Sequence, residues 1–117
     1  MISAVILTKN EENNLRNCIK SLAFCDEILV VDDNSLDKTI AIANELKARV
    51  FIRDMALDFS AQSNFGMEKT KTKWVLFVDA DERISPELSK EIMSAINSRS
   101  AVKGFFLRRI DFLWEKK

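Results

Sequence analysis

The sequence predicts an α/β domain with a mostly parallel sheet sandwiched by helices. Three observations predict it. The first fifty residues alternate apolar runs of strand length with segments of helical periodicity. Glu27 to Val31 (EILVV) and Trp74 to Val78 (WVLFV) show no polar alternation, so both faces of these strands are expected to be buried. Three of the apolar runs end in polar clusters, at Thr8 to Glu12, Asp32 to Ser35 and Asp79 to Glu82. Parallel strands carry their functional groups at their carboxyl ends, so these clusters are expected to share one edge of the sheet.

Each element has its own signal. Ser3 to Leu7 reads as the first buried strand. Asn10 to Asn14 suits a helix start, and Leu15, Cys18, Ile19 and Leu22 follow at helical spacing. That spacing predicts an amphipathic helix of about three turns. Glu27 to Val31 is the second strand. Asp37 to Lys47 is the next helix, with Ile40, Ala43 and Leu46 inward and Asp37 near the positive end of its dipole. Arg49 to Ile52 is a short third strand. The order strand, helix, strand, helix, strand is a doubly wound beginning with right-handed crossovers. An irregular connection, Asp54 to Ser60, leads to a helix over Ala61 to Thr70, weakened by Gly66. After the central strand, Ser85-Pro86-Glu87 gives an N-cap hydroxyl, a proline at the first helical position and a first-turn carboxylate. Leu88, Ile92, Ala95 and Ile96 mark that helix's buried face. Ala101 to Arg109 reads as a further strand.

Composition bounds the function. The 117 residues, 47% of them apolar, make one domain with one core, residues 1–117. Eighteen basic and eighteen acidic residues cancel, which argues against nucleic-acid binding through bulk charge. No apolar stretch has the length of a membrane span, and no signal peptide is read at the start. Cys18 and Cys25 fit no zinc or redox spacing and read as reduced packing residues of a cytoplasmic protein. There is no histidine, so a His-ligated metal site and a histidine base are excluded within this chain.

Asp79-Ala80-Asp81 is the chemical centre. Two carboxylates this close repel unless something positive sits beside them. Mg²⁺ takes one or two carboxylates together with substrate phosphate oxygens. A solvated acidic turn is the plainer reading of the motif, and Asp32 or Asp33 also suits a cap of its own turn. Neither a dinucleotide fingerprint nor a P-loop is present, since the only glycines are Gly66 and Gly104. Phosphates would then be held through a metal.

The segments AVILTKNEENNL, ILVVDDNSLDKT, ARVF, FSAQSNFGM and FVDADE stand in an order and at separations that resemble family 2 glycosyltransferases of the GT-A fold. They are most like the N-terminal part of bacterial lipopolysaccharide-core glycosyltransferases. The resemblance implies a UDP-sugar donor, a saccharide or lipid-linked acceptor and Mg²⁺ or Mn²⁺ as cofactor. It places Thr8 and Glu11 beside the nucleoside, Asp33 on the uracil ring and Asp32 at its flank. Asp79 would face the ribose and sugar, and Asp81 would ligate the metal as part of the DXD motif. Gln62 and Asn64 would belong to the segment lining the donor pocket. Such an enzyme works in the cytoplasm, at the inner face of the membrane.

The chain departs from the family in two ways. Leu36 stands where a threonine is usual, and the length is about half that of a complete enzyme, whose second part holds the acceptor site and base. No residue here is assigned as that base. Three other readings fit the residues less well. A nucleotidyltransferase would want glycines after strand one. A phosphoacceptor receiver would want an Asp directly after strand three, where Arg53 stands. An interaction module would use the apolar tail. That tail, with Phe112, Leu113 and Trp114, predicts a homo-oligomer, the alternative being that it folds back on its own sheet.

Overall fold

The computed structural model describes residues 1–97 and 113–115. Its elements are β1 (Ile2–Thr8), α1 (Leu15–Lys20), β2 (Glu27–Asp32), α2 (Thr39–Glu45), β3 (Arg49–Ile52), α3 (Phe59–Lys69), β4 (Trp74–Asp79), α4 (Pro86–Ile96) and β5 (Leu113–Glu115). The sheet order is β3-β2-β1-β4-β5. β1 to β4 run parallel to one another, and β5 runs antiparallel to β4. The fold class read from the sequence is therefore the observed one.

Side chains of each central strand divide between two cores because successive residues point to opposite faces. Ile2, Ala4 and Ile6 of β1 join Leu76 and Val78 of β4 under α1, α2 and α4. Val5, Leu29, Val31 and Val75 face the other way, against Met67 of α3. This two-sided burial explains why the strands read as unbroken apolar runs.

The helices differ from expectation at their ends. The first helix has six residues, not three turns. The chain enters it through a turn in which Asn14 and Leu15 donate to the Glu11 carbonyl. It leaves through turns at Ser21 and Leu22, so Leu22 is buried without being helical. The second helix starts at Thr39, because Asp37 sits before it and accepts from the Thr39 amide at 2.9 Å. Lys47, with φ of 65°, closes that helix in the left-handed conformation. The third starts two residues early because Asp58 caps it, accepting from Ala61 N at 2.9 Å. In α4, Ser85 accepts from Leu88 N at 3.1 Å with Pro86 behind it, as read.

Gly66 lies flat against the sheet. A Cβ there would meet Val5 Cγ1 at 2.6 Å and Val31 Cγ2 at 3.2 Å. What looked like a helix weakness is the contact that lets α3 approach β1 and β2 closely.

The tail corrects one premise. Leu113 is buried in the chain's own core and β5 pairs with β4, Leu76 opposite Leu113. This part of the tail has a surface of its own, while Trp114 remains 54% exposed. The strand read over Ala101 to Arg109 and the place of Phe112 lie outside the described residues.

Candidate functional site

The register brings the polar strand ends together. Thr8 pairs with Asp32 across β1 and β2, and Leu7 pairs with Asp79 across β1 and β4. Because β2 and β4 flank β1, the strand order reverses there, and open α/β sheets bind ligands at the carboxyl side of such a switch point.

Asp32 and Asp33 point to different tasks. Asp32 is fully buried, and its carboxylate accepts from the Thr8 hydroxyl at 2.5 Å, from Ser35 N at 2.7 Å and from the Ser35 hydroxyl at 2.6 Å. It works as an internal brace, the turn-capping alternative of the sequence reading, and its oxygens are turned away from solvent. Asp33 is partly exposed. Its amide donates to the Thr8 carbonyl at 2.9 Å, and its carboxylate accepts from Met55 N at 3.2 Å with Lys9 Nζ at 3.8 Å.

The loops after β1 and β2 are laced to one another. Asn10 N donates to the Ser35 hydroxyl at 2.7 Å, and Leu36 N donates to Asn10 Oδ1 at 2.8 Å. Glu11 N donates to the Thr39 hydroxyl at 2.8 Å, and Glu12 N to Asp37 at 3.1 Å. Desolvation works against the charge of Asp37, but bonds from Thr39 and Glu12 together outweigh it and hold its carboxyl below the ordinary value. Asn10 and Asn34 have φ of 54° and 53°, a left-handed conformation that asparagine tolerates. The sequence reading missed this lacing. The asparagines after each strand were its available signal.

At the end of β4, Asp79, Asp81 and Glu82 are exposed, while Ala80 between them is buried. None of the ion pairs among the described residues neutralises these three acids. No group of three metal-ligating side chains is gathered among the described residues. Two exposed hard oxygen donors without a closed cage suit Mg²⁺ or Mn²⁺, which complete their shells with substrate oxygens and water. Cys18 reaches this turn from α1, its thiol donating to the Asp79 carbonyl at 3.5 Å. Burial, and then the nearby charge of Glu82, push that thiol up to about 12, so it stays a donor.

A cleft of about 860 Å³ runs along α3 to this turn, with Leu7 and Phe77 in its floor and Asn64, Asp79, Glu82 and Trp114 on its walls. Asn64 lines this cleft, and Gln62 does not. Gln62 is buried and locked to Arg53, accepting from Nη1 at 2.8 Å and donating to the Arg53 carbonyl at 2.7 Å. Arg53 in turn lies over the Phe65 ring at 5.4 Å. Gln62 thus orders the loop after β3 from within.

The sequence model described as "Glycosyl transferase family 2" matches residues 3–117. The chain belongs to this family. An uncharacterised glycosyltransferase of Rickettsia bellii is 42% identical over 92 residues, covering 78% of this chain and 31% of that protein. The lipopolysaccharide core biosynthesis glycosyltransferase LpsC of Rhizobium meliloti is 32% identical over 116 residues, covering 96% of this chain and 43% of LpsC. Among solved structures, glucosyl-3-phosphoglycerate synthase of Mycobacterium tuberculosis, in complex with Mn²⁺, UDP and glucosyl-3-phosphoglycerate, superposes with a TM-score of 0.60 at 28% identity. That match covers 71% of this chain and 35% of the synthase. The family 2 chain described here thus spans about a third of the length of the first curated relatives it matches. No helix among its described residues is long and apolar enough to cross a membrane.

Proposed function

We propose that this chain is the donor-binding part of a glycosyltransferase acting on a UDP-sugar with Mg²⁺ or Mn²⁺. The acceptor we propose is a saccharide or lipid-linked saccharide of the cell envelope, reached from the cytoplasm at the inner face of the membrane. The observation that carries this reading is the register that ends β1, β2 and β4 together, Thr8 opposite Asp32 and Leu7 opposite Asp79, at the switch point of a family 2 chain. Support for the donor and metal comes from the synthase solved with UDP and Mn²⁺, and for the acceptor class from LpsC.

In this reading Asp33 accepts a hydrogen bond from the uracil ring, and the Thr8–Glu11 loop borders the nucleoside. Asp32 and Gln62 act one step back, as the braces of the loops that meet it. Asp79 faces the ribose and sugar, and Asp81 is the direct metal ligand. A bound divalent ion would neutralise the charge that develops on the leaving diphosphate. In the transfer, the acceptor hydroxyl oxygen bonds to the anomeric carbon while that carbon's bond to the diphosphate oxygen breaks. The hydroxyl proton passes to a base, which we place in the part of the enzyme beyond these residues. Calorimetry with UDP, GDP, CDP and ADP, each with and without Mn²⁺, tests the proposal. UDP is expected to bind best and to need the ion; equal binding of all four would overturn the base assignment.

Self-association through the tail is a separate proposal, favoured by the exposed Trp114. Sedimentation at micromolar concentration is expected to give a dimer that Trp114→Ala dissociates. A monomer would overturn it.

A further inference from the structure

We infer that Glu82 is a positioning residue for the two acids of the metal-binding turn. This rests on the reading of Asp79 and Asp81 as metal acids. The turn Asp79–Glu82 is closed twice: Asp79 N donates to Glu82 Oε1 at 2.9 Å, and Glu82 N donates to the Asp79 carbonyl at 2.9 Å. The two bonds fix both ends of the four residues that carry the acids, and with them the directions in which Asp79 and Asp81 leave the backbone.

The bond from Asp79 N falls at a strand end. Among the described residues β5 pairs with β4 from Trp74 to Leu76, and β4 runs on to Asp79. At this strand end the Glu82 carboxylate accepts from Asp79 N and so satisfies that amide. The inner limb of the turn is held independently. Ala80 and Ile84 are buried, Ile84 N donates to the Ser21 hydroxyl at 3.0 Å, and the Cys18 thiol meets the Asp79 carbonyl. Glu82 supplies the outer hold.

The same bond distinguishes Glu82 from a third ligand. Its Oε1 is directed at a backbone amide, and no cage of three acids is formed among the described residues. A positioning role runs through the acceptor atom, so a glutamine amide oxygen can fill it. A ligand role runs through the charge, so glutamine cannot.

The test compares Glu82→Ala, Glu82→Gln and Asp81→Ala in this chain, reading UDP affinity by calorimetry across a Mn²⁺ titration and in its absence. Outer-shell partners of metal ligands typically contribute ~10–100-fold to metal affinity. Glu82→Ala is expected to raise the Mn²⁺ concentration for half-maximal effect by about tenfold. Glu82→Gln is expected to restore the wild-type value to within about threefold, less than that outer-shell range. If Glu82→Gln is as impaired as Glu82→Ala, the charge matters and the positioning role is overturned. If Glu82→Ala behaves as wild type while Asp81→Ala has lost its Mn²⁺ response, only the Glu82 role falls. If Asp81→Ala keeps the full Mn²⁺ response, the metal reading falls and takes the Glu82 role with it. A thermal midpoint for each variant separates loss of fold from loss of metal.

Discussion

The Thr8 hydroxyl donates to the Asp32 carboxylate at 2.5 Å, joining the carboxyl ends of β1 and β2 inside the protein. Asp32 also receives both the amide and the hydroxyl of Ser35. Removing this carboxylate orphans three donors at once. Asp32→Ala is expected to lower unfolding stability by about 2–4 kcal/mol in urea denaturation. Asp33→Ala, partly exposed with one amide and a distant Lys9, should cost less than about 1 kcal/mol. Equal losses would contradict this division of labour between neighbouring acids.

Gly66 gives a packing prediction. Alanine there gains about 1 kcal/mol of helix propensity, but its Cβ collides with the short, stiff Val5 side chain. Overpacking of this kind costs ~1–3 kcal/mol, so Gly66→Ala should give a net loss of up to about 2 kcal/mol. Combining it with Val5→Ala should give a double variant more stable than the sum of the two changes. Simple additivity in that cycle would show that the collision is relieved elsewhere.

Glu27 gives a pH prediction. Burial raises its pKa, but bonds from the Ser3 hydroxyl, the Lys71 amide and Arg49, with the charge of Arg49, outweigh burial and leave it lowered. Between the lowered native value and the ordinary value, the unfolded chain binds more protons than the folded one, so stability rises with pH there. The contribution is full above the ordinary glutamate range and is lost as pH falls through the lowered native value. Thermal midpoints should decline across that acidic window, and Glu27→Gln should flatten the decline. An unchanged slope would contradict the assignment.

With about a third of its relatives' length, this chain is expected to hydrolyse a UDP-sugar slowly at most and to leave acceptors unglycosylated. Release of UDP without product in a coupled assay is the outcome foreseen. Robust transfer would contradict the assignment of the base to the remainder of the enzyme.

The sequence was most legible where burial is two-sided. The central strand was extended only by Asp79, and even the partly exposed edge strand Arg49 to Ile52 has the bounds read for it. Ser85 and Pro86 start their helix as their chemistry requires. Helix ends were less legible, because Asp37 and Asp58 spend their carboxylates on amides chosen by the loops around them. At the site, the meeting of the strand ends was readable, but the split between buried Asp32 and accessible Asp33 was not. Period-two alternation says that neighbours face opposite ways; it does not say which one faces inward at a strand's last residue. Gln62 was read as lining the pocket, and its lock on Arg53 depends on a long-range approach of α3 that no local pattern encodes.

The account stands most directly on Asp81. Calorimetric titration of UDP into wild-type protein and Asp81→Ala, with and without Mn²⁺, isolates the metal-dependent part of the affinity. The wild type is expected to bind more tightly with Mn²⁺, while Asp81→Ala binds equally weakly in both conditions and keeps its metal-free affinity. A Mn²⁺ enhancement that survives in Asp81→Ala would contradict the central claim.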